Sequence, residues 1–353
     1  MRQKTVVVLY GGRSGEHEVS LRSAAAIIAG LRQLEEFAVL PVFITKDGTW
    51  LLAEQRVAIL PDPQVGGLYI LEGENAGDVI PVDVVFPVLH GTYGEDGTVQ
   101  GLLELARIPF IGAGVLGSAV GMDKILMKAA LLSAGLPVGE YFWFTASNWE
   151  EERELMAEKI ESKLGYPCFV KPANLGSSVG ISKAYDRAGL NAAVAEAVAY
   201  DRRILVEKFL QGREIECSVL GNDNPQASVL GEVIPCNDFY DYRAKYIDDN
   251  SRLVIPAQLP EGLMEQVKKL AVETFVALDC SGLGRVDFFV DEEQNQVWVN
   301  EINTLPGFTA ISMYPKLWEA SGVPFNQLLT QLVSLAIQRY TQKEKLKTTF
   351  DGL

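Results

Sequence analysis

Apolar runs alternate with helically spaced apolar residues through the first third of the chain. Thr5 to Leu9, Val39 to Ile44 and Val82 to Val88 read as strands, and Leu21, Ala24, Ile28 and Leu31 keep a helical period within Ser20 to Leu34. Such alternation predicts a parallel α/β domain. Near residue 120 the texture changes. Asp123 to Gly135 predicts a helix stopped by glycine before Pro137, and Trp149 to Leu164 a charged helix ending before Gly165-Tyr166-Pro167, so a new domain is expected there. A strand (Cys168 to Lys171), a Gly/Ser loop (Asn174 to Gly180), a helix (Leu190 to Ala199) and a strand (Ile204 to Phe209) follow. Glu214 to Val219, Gln226 to Ile234 and Arg285 to Val290 then read as strands of a larger antiparallel sheet, an α+β pattern. Asp238 to Asn250 has no period and is long enough for a lid. Phe325 to Tyr340 closes the chain as an amphipathic helix before a polar tail.

The hairpin predicted around Gln294 carries the most informative chemistry. Period-2 pairing sets Asp287 opposite Glu301 and Arg285 opposite Asn303 on one face, with Val286, Phe288, Val290, Trp298 and Ile302 on the core face. Two carboxylates and an amide are hard oxygen ligands, few enough to suit magnesium shared with substrate phosphates. A solvated acidic hairpin is the plainer alternative, weakened by the Asn and Arg on the same face.

Composition narrows the partners. The 353 residues, 48% hydrophobic, can fill two or three domains. A net charge of -15 argues against general binding to nucleic acid or anionic membranes, so an anionic substrate must meet a local basic pocket. Cys168, Cys217, Cys236 and Cys280 lack the spacing of a zinc or redox motif and read as reduced thiols. Met1-Arg2-Gln3-Lys4 runs straight into an apolar strand, without the make-up of a signal peptide, and no apolar run approaches a membrane span, so a cytoplasmic protein is expected.

Basic and glycine-rich segments supply that pocket. Lys171 to Gly180 offers a lysine, glycines and the hydroxyls of Ser177 and Ser178 to a phosphate, without the order of a Walker loop or a dinucleotide fingerprint. Lys124 opens a helix, where the dipole favours anions. Glu207-Lys208-Phe209-Leu210 ends an apolar strand whose backbone could meet a purine edge, with Glu214 within reach of a ribose, and Lys245 lies in the candidate lid. Gly11 to Ser20 turns from the first strand into the first helix, a crevice position in an open α/β sheet, where Glu18 could hold an ammonium group or simply interact with the helix dipole. His90, one of two histidines, follows a strand end and forms no metal motif with Glu95 and Asp96.

Taken in order, these segments resemble the D-alanine:D-alanine ligases of the ATP-grasp family. The resemblance runs through Gly11-Gly12-x-Ser14-x-Glu16-x-Glu18-Val19-Ser20, Leu89-His90-Gly91 with Gly94-Glu95-Asp96-Gly97, Met122-Asp123-Lys124 and Lys171-Pro172 with Gly176-Ser177-Ser178-Val179-Gly180. It continues through Glu207-Lys208, Tyr240-Asp241-Tyr242-x-x-Lys245-Tyr246, Gly284-Arg285-x-Asp287 and Asn300-Glu301-x-Asn303-Thr304-x-Pro306-Gly307. It implies a Rossmann-like N-terminal α/β domain (residues 1–121) followed by a two-lobed ATP-grasp fold (122–212 and 213–353) with ATP gripped between the lobes.

The resemblance also implies roles. Asp287, Glu301 and Asn303 would hold magnesium or manganese, as two ions, and Lys124, Lys171, Ser178, Glu207, Lys208, Leu210, Glu214 and Lys245 would contact ATP. Glu18 would bind the first D-alanine's ammonium and, with Ser177 and Tyr246, close the lid. His90 would lie near the first substrate's carboxylate and Ser312 near the second's, while Arg285 and the Gly307 N-H would stabilise the tetrahedral intermediate. The implied activity is D-alanyl-D-alanine synthesis through D-alanyl phosphate for peptidoglycan precursors, by a cytoplasmic homodimer joined through its N-terminal domain. Ligation to D-lactate or D-serine is the nearest rival; lactate-type relatives typically carry Phe where this chain has Tyr246. Another ATP-grasp ligase and a non-catalytic nucleotide sensor are the remaining alternatives.

Overall fold

The computed structural model describes residues 2–176, 179–234 and 252–347. Three sheets organise them. The first contains β1 (Lys4–Gly11), β2 (Phe37–Ile44), β3 (Trp50–Leu52), β4 (Gln55–Ile59), β5 (Gly67–Ile70), β6 (Val79–Pro81) and β7 (Val84–Val88), in the order β6-β5-β4-β3-β2-β1-β7. β1 runs parallel to β2 and β7, whereas β3 to β6 extend the sheet antiparallel. β1 is a central strand covered on both faces. Val6 and Val8 enter one core and Val7 and Leu9 another, as a period of two demands. Helices α1 (His17–Arg32), α2 (Thr98–Leu105) and α3 (Val115–Met122) complete this region.

α4 (Lys124–Ser133) opens the second region and is capped by Asp123, whose carboxylate accepts the Leu126 N-H at 3.0 Å. Its sheet, β10-β9-β11-β8, joins β8 (Tyr141–Thr145), β9 (Cys168–Pro172), β10 (Ser182–Ala184) and β11 (Arg203–Lys208), all antiparallel. α5 (Ala146–Lys163) and α6 (Arg187–Ala197) cover one face. α5 begins with a capping box between Thr145 and Asn148.

The third sheet, β14-β13-β12-β15-β16, comprises β12 (Arg213–Gly221), β13 (Gln226–Ile234), β14 (Arg252–Val254), β15 (Gly282–Asp291) and β16 (Gln296–Asn303), again antiparallel. α7 (Glu261–Ala277) packs against it, and α8 (Met313–Ala320) and α9 (Phe325–Lys343) end the described chain. Packing and chain order part company twice. Met127 and Leu131 of α4 are buried in the core of the third sheet, not the second. Leu328, Leu329 and Leu332 of α9 pack with Ala24, Ile27 and Leu31 of α1, tying the end of the chain to the first region.

The hairpin has the expected pairs, Asp287 with Glu301 and Arg285 with Asn303. Its expected core face needs a correction. A β-bulge follows Asp287, so Phe288 pairs with Val299 and Asn300 is the extra residue on β16. The inserted residue exchanges the faces of the strand beyond it, which is why Val297 and Val299 are buried where Trp298 was expected. Cys168, Cys217 and Cys280 are buried and unpaired, and burial pushes their thiols up to about 11, 12 and 12. Among the described residues no helix is long and apolar enough to cross a membrane. The expected lid, with Lys245 and Tyr246, lies outside the described residues, as do Cys236, Ser177 and Ser178.

Candidate active site

A cleft of about 450 Å³ opens where the three sheets meet. The first region lines it with Glu16, His90 and Glu95, the second with Lys124, Leu175 and Gly176, and the third with Glu214, Glu216, Arg285, Asp287, Glu301, Asn303, Gly307 and Ser312.

The floor is the hairpin. Arg285 donates to both oxygens of Asp287, each at 2.7 Å, and its Nε lies 2.9 Å from Glu216 across the β12–β15 pair. Burial works against the guanidinium charge, but Asp287 and Glu216 outweigh it and hold Arg285 protonated well above the ordinary range. Asn303 donates to Asp287 at 3.0 Å. Among the described residues no three His, Cys, Asp or Glu side chains converge as a metal cage would. Two carboxylates and an amide on adjacent strands still fit magnesium, which takes one or two carboxylates and completes its shell from water and phosphate.

The second region supplies cations. Lys124, at the α4 N-terminus, donates to the Leu175 carbonyl at 2.6 Å, bracing the loop that follows β9. Glu207 on β11 is buried between Lys128 at 2.5 Å and Lys171, to which it is also ion-paired. Burial opposes its charge, yet the two lysines hold its carboxyl down at about 2. Lys171 is opposed by burial as well and titrates above its ordinary range through Glu207, helped by Glu301 and Glu214. Lys171 thus stands behind the cleft wall within the field of Glu301 and Glu214 rather than lining it. The Lys208 side chain turns to solvent beside Glu140. The Lys208 and Phe209 N-H groups are bonded to the carbonyls of Glu140 and Pro167, which leaves Leu210 as the next backbone donor along the chain.

The buried triad has a testable stability consequence. A carboxyl whose folded pKa is depressed stabilises the fold above its unfolded pKa, and that contribution is lost as pH falls from about 4.5 towards about 2. Glu207→Gln strands two buried lysines and should cost about 3–5 kcal/mol at neutral pH. Denaturant titration at pH 7 and pH 3 should show the gap between variant and wild type narrowing in acid.

One expectation is corrected outright. Glu18 lies in the first turn of α1 with its side chain 60% exposed and 3.1 Å from Lys46, outside the cleft. The hydrogen bond from Lys46 lowers its pKa, as for a surface ion pair. The carboxylate of this segment that lines the cleft is Glu16, 9% exposed, in the turn just before the helix. Its Oε2 lies so close to two loops that a Cβ on Gly91 would meet it at 2.5 Å and one on Gly176 at 2.6 Å. A side chain at either position would push the Glu16 carboxylate aside, and Gly91 is further held to glycine by its φ of +73°. Glu95 is the other carboxyl that sequence reasoning passed over. It accepts the N-H groups of Gly91 at 2.8 Å and Leu305 at 3.2 Å, and burial, reinforced by Glu16, raises its pKa to about 8. His90 also lines the cleft, but both ring nitrogens are engaged, Nδ1 with the Leu305 carbonyl at 3.0 Å and Nε2 with Ser23 Oγ at 3.2 Å. Burial lowers its pKa to about 4, leaving a neutral ring.

Two family models together match most of the chain. One described as D-ala D-ala ligase N-terminus matches residues 5–113, and one described as D-ala D-ala ligase C-terminus matches residues 130–334. The chain belongs to the D-alanine:D-alanine ligase family. The D-alanine--D-alanine ligases of Natranaerobius thermophilus and Heliobacterium modesticaldum are each 51% identical to it, the first with 99% of both chains covered and the second with 99% and 98%. The solved D-alanine-D-alanine ligase from Coxiella burnetii superposes with a TM-score of 0.83 at 36% identity over 97% of this chain and 98% of its own. A D-Ala:D-Ser ligase from Enterococcus faecalis superposes with a TM-score of 0.86 at 34% identity, over 95% of this chain and 100% of its own. Family membership gives the mixed α/β architecture its name, an ATP-grasp fold with an additional N-terminal domain.

Proposed function

We propose that this protein joins two D-alanines to D-alanyl-D-alanine at the expense of ATP, for peptidoglycan precursor synthesis. The observation that carries the reading is one cleft facing an N-terminal carboxylate, Glu16, with the Arg285, Asp287, Glu301 and Asn303 face of the β15–β16 hairpin. The first D-alanine's carboxylate attacks the γ-phosphoryl group of ATP, giving D-alanyl phosphate and ADP. The amine of the second D-alanine then attacks the acyl carbon. A C-N bond forms, the C-O bond to phosphate breaks and the amine loses a proton.

The roles proposed for the residues are these. Glu16, in place of Glu18, holds the first ammonium. Lys124 faces the phosphates with Lys171 contributing its charge from behind the cleft wall, Glu214 faces the ribose, and Glu207, Lys208 and Leu210 keep the adenine role implied by the family pattern. Asp287, Glu301 and Asn303 would hold magnesium or manganese, as two ions, which would supply charge neutralisation at the phosphates. Arg285 and the Gly307 N-H meet the oxyanion, donors worth ~3–4 kcal/mol each in comparable sites. Ser312 receives the second carboxylate. Ser177, Ser178, Lys245 and Tyr246 retain the loop and lid roles implied by the family pattern, with water excluded from the acylphosphate. Residues 1–121, 122–212 and 213–353 form the three domains, and the protein acts in the cytoplasm as a homodimer.

Purified protein given ATP, magnesium and D-alanine should release one phosphate for each D-alanyl-D-alanine formed, followed by chromatography of the product. D-Serine and D-lactate offered in competition should be incorporated less. Phosphate release that does not depend on D-alanine would defeat the proposal.

A further inference from the structure

The turn Leu305-Pro306-Gly307-Phe308 follows β16 and is held almost entirely by residues of the first region. Leu305 donates its N-H to Glu95 at 3.2 Å, and its carbonyl lies 3.0 Å from His90 Nδ1. Phe308 donates its N-H to Ser23 Oγ at 3.2 Å, and the same oxygen is 3.2 Å from His90 Nε2. Proton accounting fixes the direction of this chain. A carbonyl can only accept, so His90 Nδ1 carries the hydrogen and Nε2 presents a lone pair. Ser23 therefore donates its hydroxyl hydrogen to His90 and accepts from Phe308. The loop closes on itself from the Phe308 N-H through Ser23 and His90 to the Leu305 carbonyl. It is neutral, buried and satisfied at every atom, since burial keeps the imidazole uncharged.

One donor of the turn is left over. Pro306 has no N-H, those of Leu305 and Phe308 are engaged, and among the described residues nothing accepts from Gly307, which lines the cleft. A Cβ on Gly307 would meet Ser312 Oγ at 2.9 Å, so a side chain there would push Ser312 aside, while Ser23 Oγ at 3.8 Å is in ordinary contact range. Ser23 is fully buried on α1, some 280 residues before the turn in sequence (|i−j| = 285), and touches no face of the cleft itself.

We propose that Ser23 is a positioning residue for the second half-reaction, orienting the His90 ring and the Phe308 amide so that the Gly307 N-H stays aimed into the cleft. This rests on the ligase reading above. The Gly307 donor serves the tetrahedral intermediate formed when the second amine attacks. Phosphoryl transfer to the first carboxylate does not use it. Misplacing the turn therefore slows amide formation and leaves D-alanyl phosphate exposed to water, which returns D-alanine and phosphate.

The test compares wild type, Ser23→Ala and Ser23→Cys, measuring phosphate and dipeptide in the same reaction, KM for ATP, and thermal melting. Both variants should melt as folded proteins with KM for ATP within about twofold of wild type. Dipeptide formation should fall about 10- to 100-fold, the scale of a small misplacement of a catalytic group, while phosphate is released in clear excess over dipeptide. Cysteine keeps the volume but is a weak donor and acceptor. It should therefore behave like alanine if the hydrogen bonds matter. One dipeptide per phosphate in Ser23→Cys overturns the proposal, as does a parallel loss of both products with a changed KM for ATP. A wild type without D-alanine-dependent phosphate release removes the ligase reading and this inference together, whereas a coupled wild type with coupled variants removes this inference alone.

Discussion

Replacing Arg285 by methionine should lower kcat/KM for dipeptide formation by about 10³-fold or more. Removal of one oxyanion donor from a preorganised site costs about 10²–10³ in rate. Arg285 has a second duty that adds to this. Its guanidinium is the cation between Asp287, at 2.7 Å to each oxygen, and Glu216 at 2.9 Å. Without it two carboxylates that share a half-closed pocket repel, and Asp287 loses the fork that orients it beside Glu301. Breaking such a buried network by removing one partner costs about 3–5 kcal/mol. Arg285→Lys separates the two contributions. It keeps the charge but not the planar, bidentate fork, so stability should largely return while kcat remains about 10²-fold down. Steady-state kinetics with thermal melts of both variants check this; equal activity of Arg285→Lys and wild type would remove Arg285 from the reacting centre.

The legible parts of this fold were those where one period governs a long segment. The pairing of Asp287 with Glu301 could be read because two period-2 runs flank a short polar turn. Trp298 was misplaced because an extra residue, Asn300, exchanges faces without leaving a glycine or proline to mark it. β3 to β6 escaped notice since three to five residues are too few to show a period, and they pair antiparallel beside a parallel centre. α7 is readable by the same rule, since its buried Leu263, Val267, Leu270 and Ala271 recur at helical spacing.

The site followed the same logic. Cations and carboxylates on strand ends were recognisable by order and spacing, whereas the hydrogen-bonded clasp made by Ser23, His90 and Glu95 depends on partners more than two hundred residues away in sequence. No local signal marks Ser23. Glu16 did have one. In an open α/β sheet the crevice belongs to the turn beyond the carboxyl end of the strand, and Glu16 is in that turn while Glu18 is already within the helix.

That two-residue difference yields the sharpest contrast between variants. Glu16→Gln should lower kcat/KM for D-alanine by about 10²-fold, since hydrogen bonds to a charged partner contribute about 1.5–3 kcal/mol and Glu16 is largely withdrawn from water. KM for ATP should change less than KM for D-alanine, because Glu16 enters the cleft from the N-terminal region. Glutamine keeps the shape that Gly91 and Gly176 are cut to fit, so the loss reports charge rather than packing. Glu18→Gln removes only a contact to Lys46 at the surface and should leave kcat and both KM values within about twofold. A second readout is independent of the rate. Part of the elevation of Glu95 comes from the charge on Glu16, so in Glu16→Gln the Glu95 carboxyl should titrate below about 8, closer to an ordinary carboxylate, and an NMR titration of that carboxyl would register the change. Equal D-alanine kinetics in the two variants would return the ammonium site to the sequence-based assignment or exclude both carboxylates; a loss confined to Glu16→Gln fixes it to the turn before the first helix.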